Sequence, residues 1–321
     1  MGLTKPIELN LLSDQGTFMY LKNIIRGEYL MKKEKKMRKI GGHKKAGIVM
    51  VTPIAIWLLI FLFVPVAYVL LVSFMTRGIY GNVVFQFTLE NYSMIFSNTY
   101  FKIVLNSLKI ALLGTTLCIL IAYPVAYYMA KHTEKAGLLI LMIMLPFCTS
   151  SLVRNYSWIV LLNTSGVVNS FLLKTGLIVK PIEFLYNDAM VMVGLIYAFM
   201  PFAVLPIYSS IEKMDWALVE AAKDLGAKPR QVFRKVILPM TSPGIFAAIL
   251  QVFIPSLGIY FISDLLGGGN SMMIGNLIRN QFLQSNNWPF GAALSIVLIL
   301  VTLLILFVYT KVGGDIEDLG T

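Results

Sequence analysis

The sequence predicts an all-α integral membrane protein that crosses the bilayer six times. Three observations carry this reading. Of 321 residues, 57% are hydrophobic and only 13% are charged, whereas a soluble domain carries about a quarter charged residues. Mean hydropathy is +0.76. Six separate runs each supply the roughly 20 mostly apolar residues that a membrane helix needs, and none shows β-barrel alternation or an internal repeat.

The first run, Ile48–Phe74, holds no charge. The second, Phe101–Ala130, carries Lys102 and Lys109 in its first two turns, where Lys109 snorkels or packs. The third, Ala136–Leu162, contains Arg154. The fourth, fifth and sixth are Ala189–Ile211, Pro243–Leu265 and Trp288–Thr310. Prolines lie inside several of them (Pro53, Pro65, Pro124, Pro146, Pro201, Pro206 and Pro255). Membrane helices tolerate them because neighbours re-satisfy the freed carbonyls. Residues 46–312 thus form one six-span domain, and 313–321 a short tail.

Charge sets the expected orientation. Basic residues concentrate in cytoplasmic loops. With the N-terminus inside, the inner segments hold the basic arm, Lys131, Lys135, six basic residues between Lys213 and Lys235, and Lys311. The outer ones hold Arg77, Lys174, Lys180 and Arg279, with Lys102 at the border. Both termini are therefore expected in the cytoplasm, with the protein crossing its membrane several times.

Residues 1–45 hold eleven Lys or Arg against four acids. Beside a span, such a block reads as a topology signal in contact with lipid rather than a nucleic-acid site. The arm is expected to be disordered. Met31 opens MKKEKKMRKI, a start with a basic flank, and the RGEYL before it reads as a translated ribosome-binding site. Residues 1–30 are either a mis-assigned start or part of a cytoplasmic arm. No cleavable signal peptide is expected, because the first apolar run begins after residue 45 and is too long.

Several chemistries are missing from the chain. Cys118 and Cys148 sit in apolar runs, which argues against a disulfide scaffold. His43 and His132 are far apart, and no metal-ligand motif occurs, so neither a metal nor another cofactor is expected. No phosphate-binding glycine loop occurs either, so any ATP hydrolysis belongs to another chain. A secondary transporter remains a rival class, but it needs intramembrane acids or broken, repeated helices.

Between the fourth and fifth runs lies DWALVEAAKDLGAKPRQVFRKVILPMTSPG. Asp215 is placed to cap a helix and Gly226 to end it with positive φ. Pro229 suits the first turn of a second helix, which Pro239 and Pro243 are expected to stop. Val219, Ala222, Leu225, Val232 and Phe233 then form an apolar knob with charged flanks. The alternative is an ordinary amphipathic interfacial loop.

Glu220, Ala221, Ala222, Gly226, Val236, Leu238 and Pro239 together resemble the EAA loop of binding-protein-dependent ABC importer permeases: Glu-Ala-Ala, three residues, Gly, nine residues, then Ile-x-Leu-Pro. Val236 in place of Ile is the single departure. The resemblance implies the type I (MetI-like) permease fold, with this loop over 212–242 as the helix that docks on ABC ATPase subunits, which carry the ATP-Mg. It also implies a second homologous permease subunit and an extracytoplasmic binding protein. On either side of this loop, LPFCTSSLVRNYSWIVLL (Leu145–Leu162) and Phe253–Leu300 resemble the spermidine/putrescine permeases, and the likeness covers most of the chain after about residue 46. Opine, thiamine, iron(III) and phosphonate permeases share the EAA loop and stay as alternatives. The SDLLGGG…IGNLI…QF…WPFGAA stretch favours polyamines.

For a polycation path, Asp264 is the leading candidate, since a carboxylate at the outer end of a span meets an arriving cation. It competes with an Asx turn opening the Gly267–Gly269 loop. Tyr156, Trp158, Tyr197 and Tyr260 can hold amines by cation–π contact or form an interfacial belt. Arg154 would repel a polycation, and its expected partners are Asp264, headgroups or the binding protein.

Overall fold

The computed structural model describes residues 50–311. The expected basic arm over 1–45 and the tail over 313–321 lie outside the described residues. The chain divides between Ala67 and Tyr68 into two bodies.

Helix α1, Met50–Ser73, is long and apolar enough to cross a membrane and begins in the first body. It widens into a π turn at Leu59–Phe63, two residues before Pro65. A second π turn, Phe233–Ile237, ends two residues before Pro239. The wider turn takes up carbonyls that the proline ring leaves without a donor.

The second body opens with strands β1 (Met75–Arg77) and β2 (Val83–Phe87), paired antiparallel with Arg77 opposite Val83. This short hairpin is a feature the sequence reading did not anticipate in a fold that is otherwise helical. The β-branched and aromatic run VVFQF suits a strand, and Arg77 Nη2 clips it by donating to Ser285 O at 2.6 Å. Then come α2 (Glu90–Ile95), α3 (Asn98–Lys131), α4 (Thr133–Met144), α5 (Ser151–Leu162) and α6 (Val167–Lys174). They are followed by α7 (Asp188–Glu212), α8 (Trp216–Asp224), α9 (Pro229–Met240), α10 (Ser242–Gly258), α11 (Ile274–Leu283) and α12 (Trp288–Lys311).

Among the described residues, five stretches qualify as spans by length and composition: α1, α3, Ser151–Lys174, α7 and α12. Counting the bent pair α9–α10, whose axes differ by 64°, makes six. Two expected boundaries need correction. The third run is not one helix over Ala136–Leu162, because α4 gives way to a 3-10 turn at Leu145–Cys148 and α5 starts afresh at Ser151. Pro146 removes a donor there, and Thr149 and Ser150 are extended, with ψ of 157° and 132°. The fifth run does not continue helically to Leu265. α10 stops at Gly258, Ile259 is extended, and a π turn follows at Ser263–Gly267.

Helices α3, α7 and α10 make the main core. Cys118, Ala122 and Ala126 of α3 meet Ala203, Val204 and Ile207 of α7 and Ala248 of α10, all buried. Small side chains let membrane helices approach closely, where packing rather than water expulsion holds them. The core continues into Ile262 and Leu266 beside the π turn, and into Met273. α2, α11 and α12 share a second cluster around Phe290, with Tyr100 of α3 tilted against it at 4.7 Å.

This packing leaves two poles. One holds the hairpin, the π turn and α11. The other holds the charged α8–α9 segment. At the first pole Ile274 N donates to Ser107 Oγ at 2.8 Å, and Tyr186 N to Leu266 O at 2.7 Å. There too the start of α11 lies on the end of α10: a Cβ on Gly275 would stand 2.5 Å from Gly258 O and 3.0 Å from Gly258 C. Both are backbone atoms, so neither can rotate away. Gly275→Ala should therefore destabilise the protein by about 1–3 kcal/mol, the usual cost of overpacking. Gly137→Ala, where a Cβ meets nothing within 4 Å, should not. Thermal unfolding of the detergent-purified protein measures both, and equal midpoints for the two variants would contradict the close approach.

Candidate functional site

The charged segment is built from local rules. Asp215 caps α8, its side chain accepting from Ala217 N at 3.0 Å. At the other end Gly226 N donates to Lys223 O at 2.8 Å, and Ala227 N to Ala222 O at 3.1 Å. Those two bonds are the Schellman pattern, in which the residue after the cap takes left-handed φ; Gly226 has φ +79°. The spacing from Glu-Ala-Ala to Gly is thus the distance from the last full helical turn to the C′ position. Pro229 then opens α9, and Gln231 Oε1 accepts from Lys228 N at 2.9 Å.

Inside the bend, Val219 and Val232 are buried with Met214 and Ile237, and Ala222, Ala227 and Val236 pack around them. Two expectations need correction here. Leu225 does not join this knob but stands 87% exposed at its tip. Pro239 does not stop the second helix; α9 runs through it to Met240, and the break falls at Thr241. Glu220, Ala221, Leu238 and Pro239 are exposed, whereas Ala222 and Val236 are half-buried. The segment is tied to α3 by side chains that sequence reasoning did not single out. Tyr123 Oη lies 3.1 Å from Thr241 Oγ1 and meets Phe233 edge-on, and Tyr127 packs on Trp216. The interruption of two helical runs around Thr241 was the available signal.

At the opposite pole the structure splits the candidate path residues into two groups. Asp264 Oδ2 accepts from Arg279 Nη1 at 3.0 Å, and Oδ1 accepts from Asn276 Nδ2. Asn276 is buried and also donates to Tyr260 O at 3.0 Å. The Arg279 guanidinium sits over the Tyr260 ring, 5.3 Å from its centroid. The Asp264 carboxylate is therefore held across to α11. Arg279 had been read only for its position in an outer loop; it is the nearest basic residue in sequence to Asp264, 15 positions on.

Arg154 makes the second group and does not pair with Asp264. Its Nη1 donates to Pro146 O at 2.8 Å, a carbonyl at the broken span. Its guanidinium lies 4.2 Å over Phe147 and 5.6 Å from Tyr197. Trp158 meets Tyr197 edge-on at 5.6 Å. The break at Pro146 creates the acceptor, and the rings supply the cation–π faces that replace an acid. Tyr156 is 55% exposed and belongs to neither group among the described contacts.

A bundle of apolar helices with a bent, charged segment at one pole and a paired carboxylate at the other is the architecture of a polytopic membrane protein. The family model described as binding-protein-dependent transport system inner membrane component matches residues 46–314, and the chain belongs to that family. It is a permease component of an ABC importer, a transport subunit and not an enzyme. The chain is 44% identical over 283 residues to the spermidine/putrescine transport system permease protein PotB of Salmonella typhimurium, covering 86% of this chain and 98% of that one. Against PotB of Escherichia coli K12 it is 44% identical over 263 residues, covering 82% and 96%. The inner membrane ABC transporter permease protein YdcU of Escherichia coli is 33% identical, covering 70% and 75%. Among solved structures, a chain of a bacterial alginate ABC transporter bound to its pentasaccharide-loaded periplasmic protein superposes with a TM-score of 0.69 at 19% identity. That match covers 83% of this chain and 92% of the other, and the shared fold is the one expected.

The pairing at the first pole sets a test. With both side chains about a third exposed, the Asp264–Arg279 coupling should be about 0.2–1 kcal/mol. A double-mutant cycle on thermal stability with Asp264→Asn and Arg279→Gln should return that value. The cycle pairing Asp264→Asn with Arg154→Gln should return about zero, as for residues without shared partners. Coupling to Arg154 instead would contradict the arrangement.

Proposed function

We propose that the chain imports polyamines, spermidine or putrescine, handed over by an extracytoplasmic binding protein. It acts beside a second, homologous permease, above two ATPase subunits that bind ATP-Mg. The carrying observation is 44% identity to spermidine/putrescine permeases along nearly the whole length of both chains. The path then needs only to accept a flexible cation, and specificity rests largely with the binding protein. Asp264 is the proposed first carboxylate on that path, with Tyr260 beside it and Trp158, Tyr197 and Tyr156 on neighbouring surfaces.

Glu220, Ala221, Ala222, Gly226, Val236, Leu238 and Pro239 form the proposed coupling element. Its bend is closed by backbone bonds, so the segment can move as one piece against an ATPase groove. Closure of the ATPase dimer on ATP would push this piece. The Tyr123–Thr241 contact would pass the displacement to α3 and α10, and the bundle would alternate between openings. The Lys/Arg distribution supports a cytoplasmic coupling pole and cytoplasmic termini.

Uptake of labelled spermidine and putrescine by liposomes holding the assembled importer, with binding protein outside and ATP inside, tests the substrate. Uptake of thiamine, an opine, a phosphonate or iron(III) in their place would overturn it. Gly226→Val should reduce transport and stimulated ATP hydrolysis together, at normal permease abundance. A β-branched residue at φ +79° is strained, and the Schellman bend would open. Normal uptake in this variant would remove the coupling assignment. The orientation is read by cysteines placed at Lys228 or Ser285 in a Cys148→Ser background, since Cys148 is itself exposed. Only the Ser285 position should react with an impermeant thiol reagent in intact cells, and the reverse pattern would invert the topology.

A further inference from the structure

The Asp264–Arg279 pair has the composition of a cation site already filled by the protein's own side chain. One carboxylate oxygen is held by buried Asn276, so the orientation of Asp264 does not depend on Arg279. The other oxygen takes the guanidinium, which also lies on the Tyr260 face. A carboxylate oxygen and an aromatic face are the two features that hold an ammonium group. Both side chains of the pair are about a third exposed, at 34% and 35%, so an incoming cation can reach them. An ion pair exposed to this degree is weak enough to exchange, whereas a fully buried one is not.

We propose that Arg279 is a tethered stand-in for the substrate: an ammonium group of the arriving polyamine displaces it from Asp264 and Tyr260. This rests on the polyamine reading above. In the resting protein the pair is neutral, so small inorganic cations gain little there. A polyamine carries several charges on one chain and gains further contacts while one ammonium takes Arg279's place. Displacement removes one of the two side-chain bonds from Asp264 to α11 and leaves the Asn276 bond in place, so the carboxylate stays oriented while Arg279 is released. Arg279 is on this account a specificity-determining residue that competes with substrate.

The test uses the assembled, nucleotide-free importer in detergent, without binding protein, and reads thermal stabilisation against spermidine concentration at fixed ionic strength. Arg279→Gln frees Asp264 and should lower the midpoint concentration by about two- to fivefold, the range of one partly exposed ion pair. Asp264→Asn should raise it, and in that background Arg279→Gln should lower the midpoint by less than it does alone, because only the Tyr260 face is then left to free. Tyr260→Leu should raise it as well. A purely structural latch predicts otherwise: Arg279→Gln would raise the midpoint or leave it unmoved, and either result overturns the exchange. The wild-type liposomes separate this from failure of the substrate reading. Wild-type spermidine uptake with an unmoved Arg279→Gln midpoint refutes the exchange alone. Wild-type uptake of neither spermidine nor putrescine refutes the substrate reading and the exchange with it.

Discussion

The close approach of α3, α7 and α10 is the constraint on which the rest of the structure depends. In a bilayer, apolar side chains gain nothing by leaving lipid for protein, so helices adhere through packing and through the few polar groups they share. The alanines at 122, 126, 203 and 248 are buried at this seam. Each pole then inherits its geometry from the seam. At one end α10 leads into the π turn that carries Asp264, and the first turns of α7 pack beside it. At the other, Tyr123 of α3 meets Thr241, where the charged α8–α9 segment turns into α10.

The two poles are made in different ways. The charged segment is almost entirely local: a cap at Asp215, a Schellman close at Gly226 and a proline entry at Pro229, each satisfied within a few residues. The opposite pole is non-local. Asp264 finds its partners on another helix, Ile274 N reaches Ser107, and the hairpin is clipped by Ser285. Movement of the first as a unit therefore asks nothing of its own hydrogen bonds. Movement of the second has to break contacts between elements.

That difference also decides how much was legible in the sequence. The span count, the bend at Gly226 and the cap at Asp215 follow from periodicity and short-range chemistry, and the structure has them. The interruption at Pro146–Ser150 was hidden because a proline within an apolar run reads as tolerated, and only the extended Thr149 and Ser150 show that the helix restarts. The partner of Asp264 was missed because electrostatic pairing was sought across the bundle, at Arg154, rather than on the return segment. Arg154 needed no acid at all: a broken helix supplied a carbonyl, and two aromatic rings covered the charge. The hairpin was lost because a strand of five residues between two spans has too little length for alternation to declare itself.

The Schellman bend at Gly226 has a consequence for descent and engineering. Its shape is written in main-chain bonds and one glycine, and its interior in Val219 and Val232. The exposed positions, Glu220, Ala221 and Leu225 among them, take no part in holding it. The exposed face can therefore change residue by residue while the scaffold beneath stays the same. A graft of a few exposed side chains would alter the chemistry of that face without reshaping it.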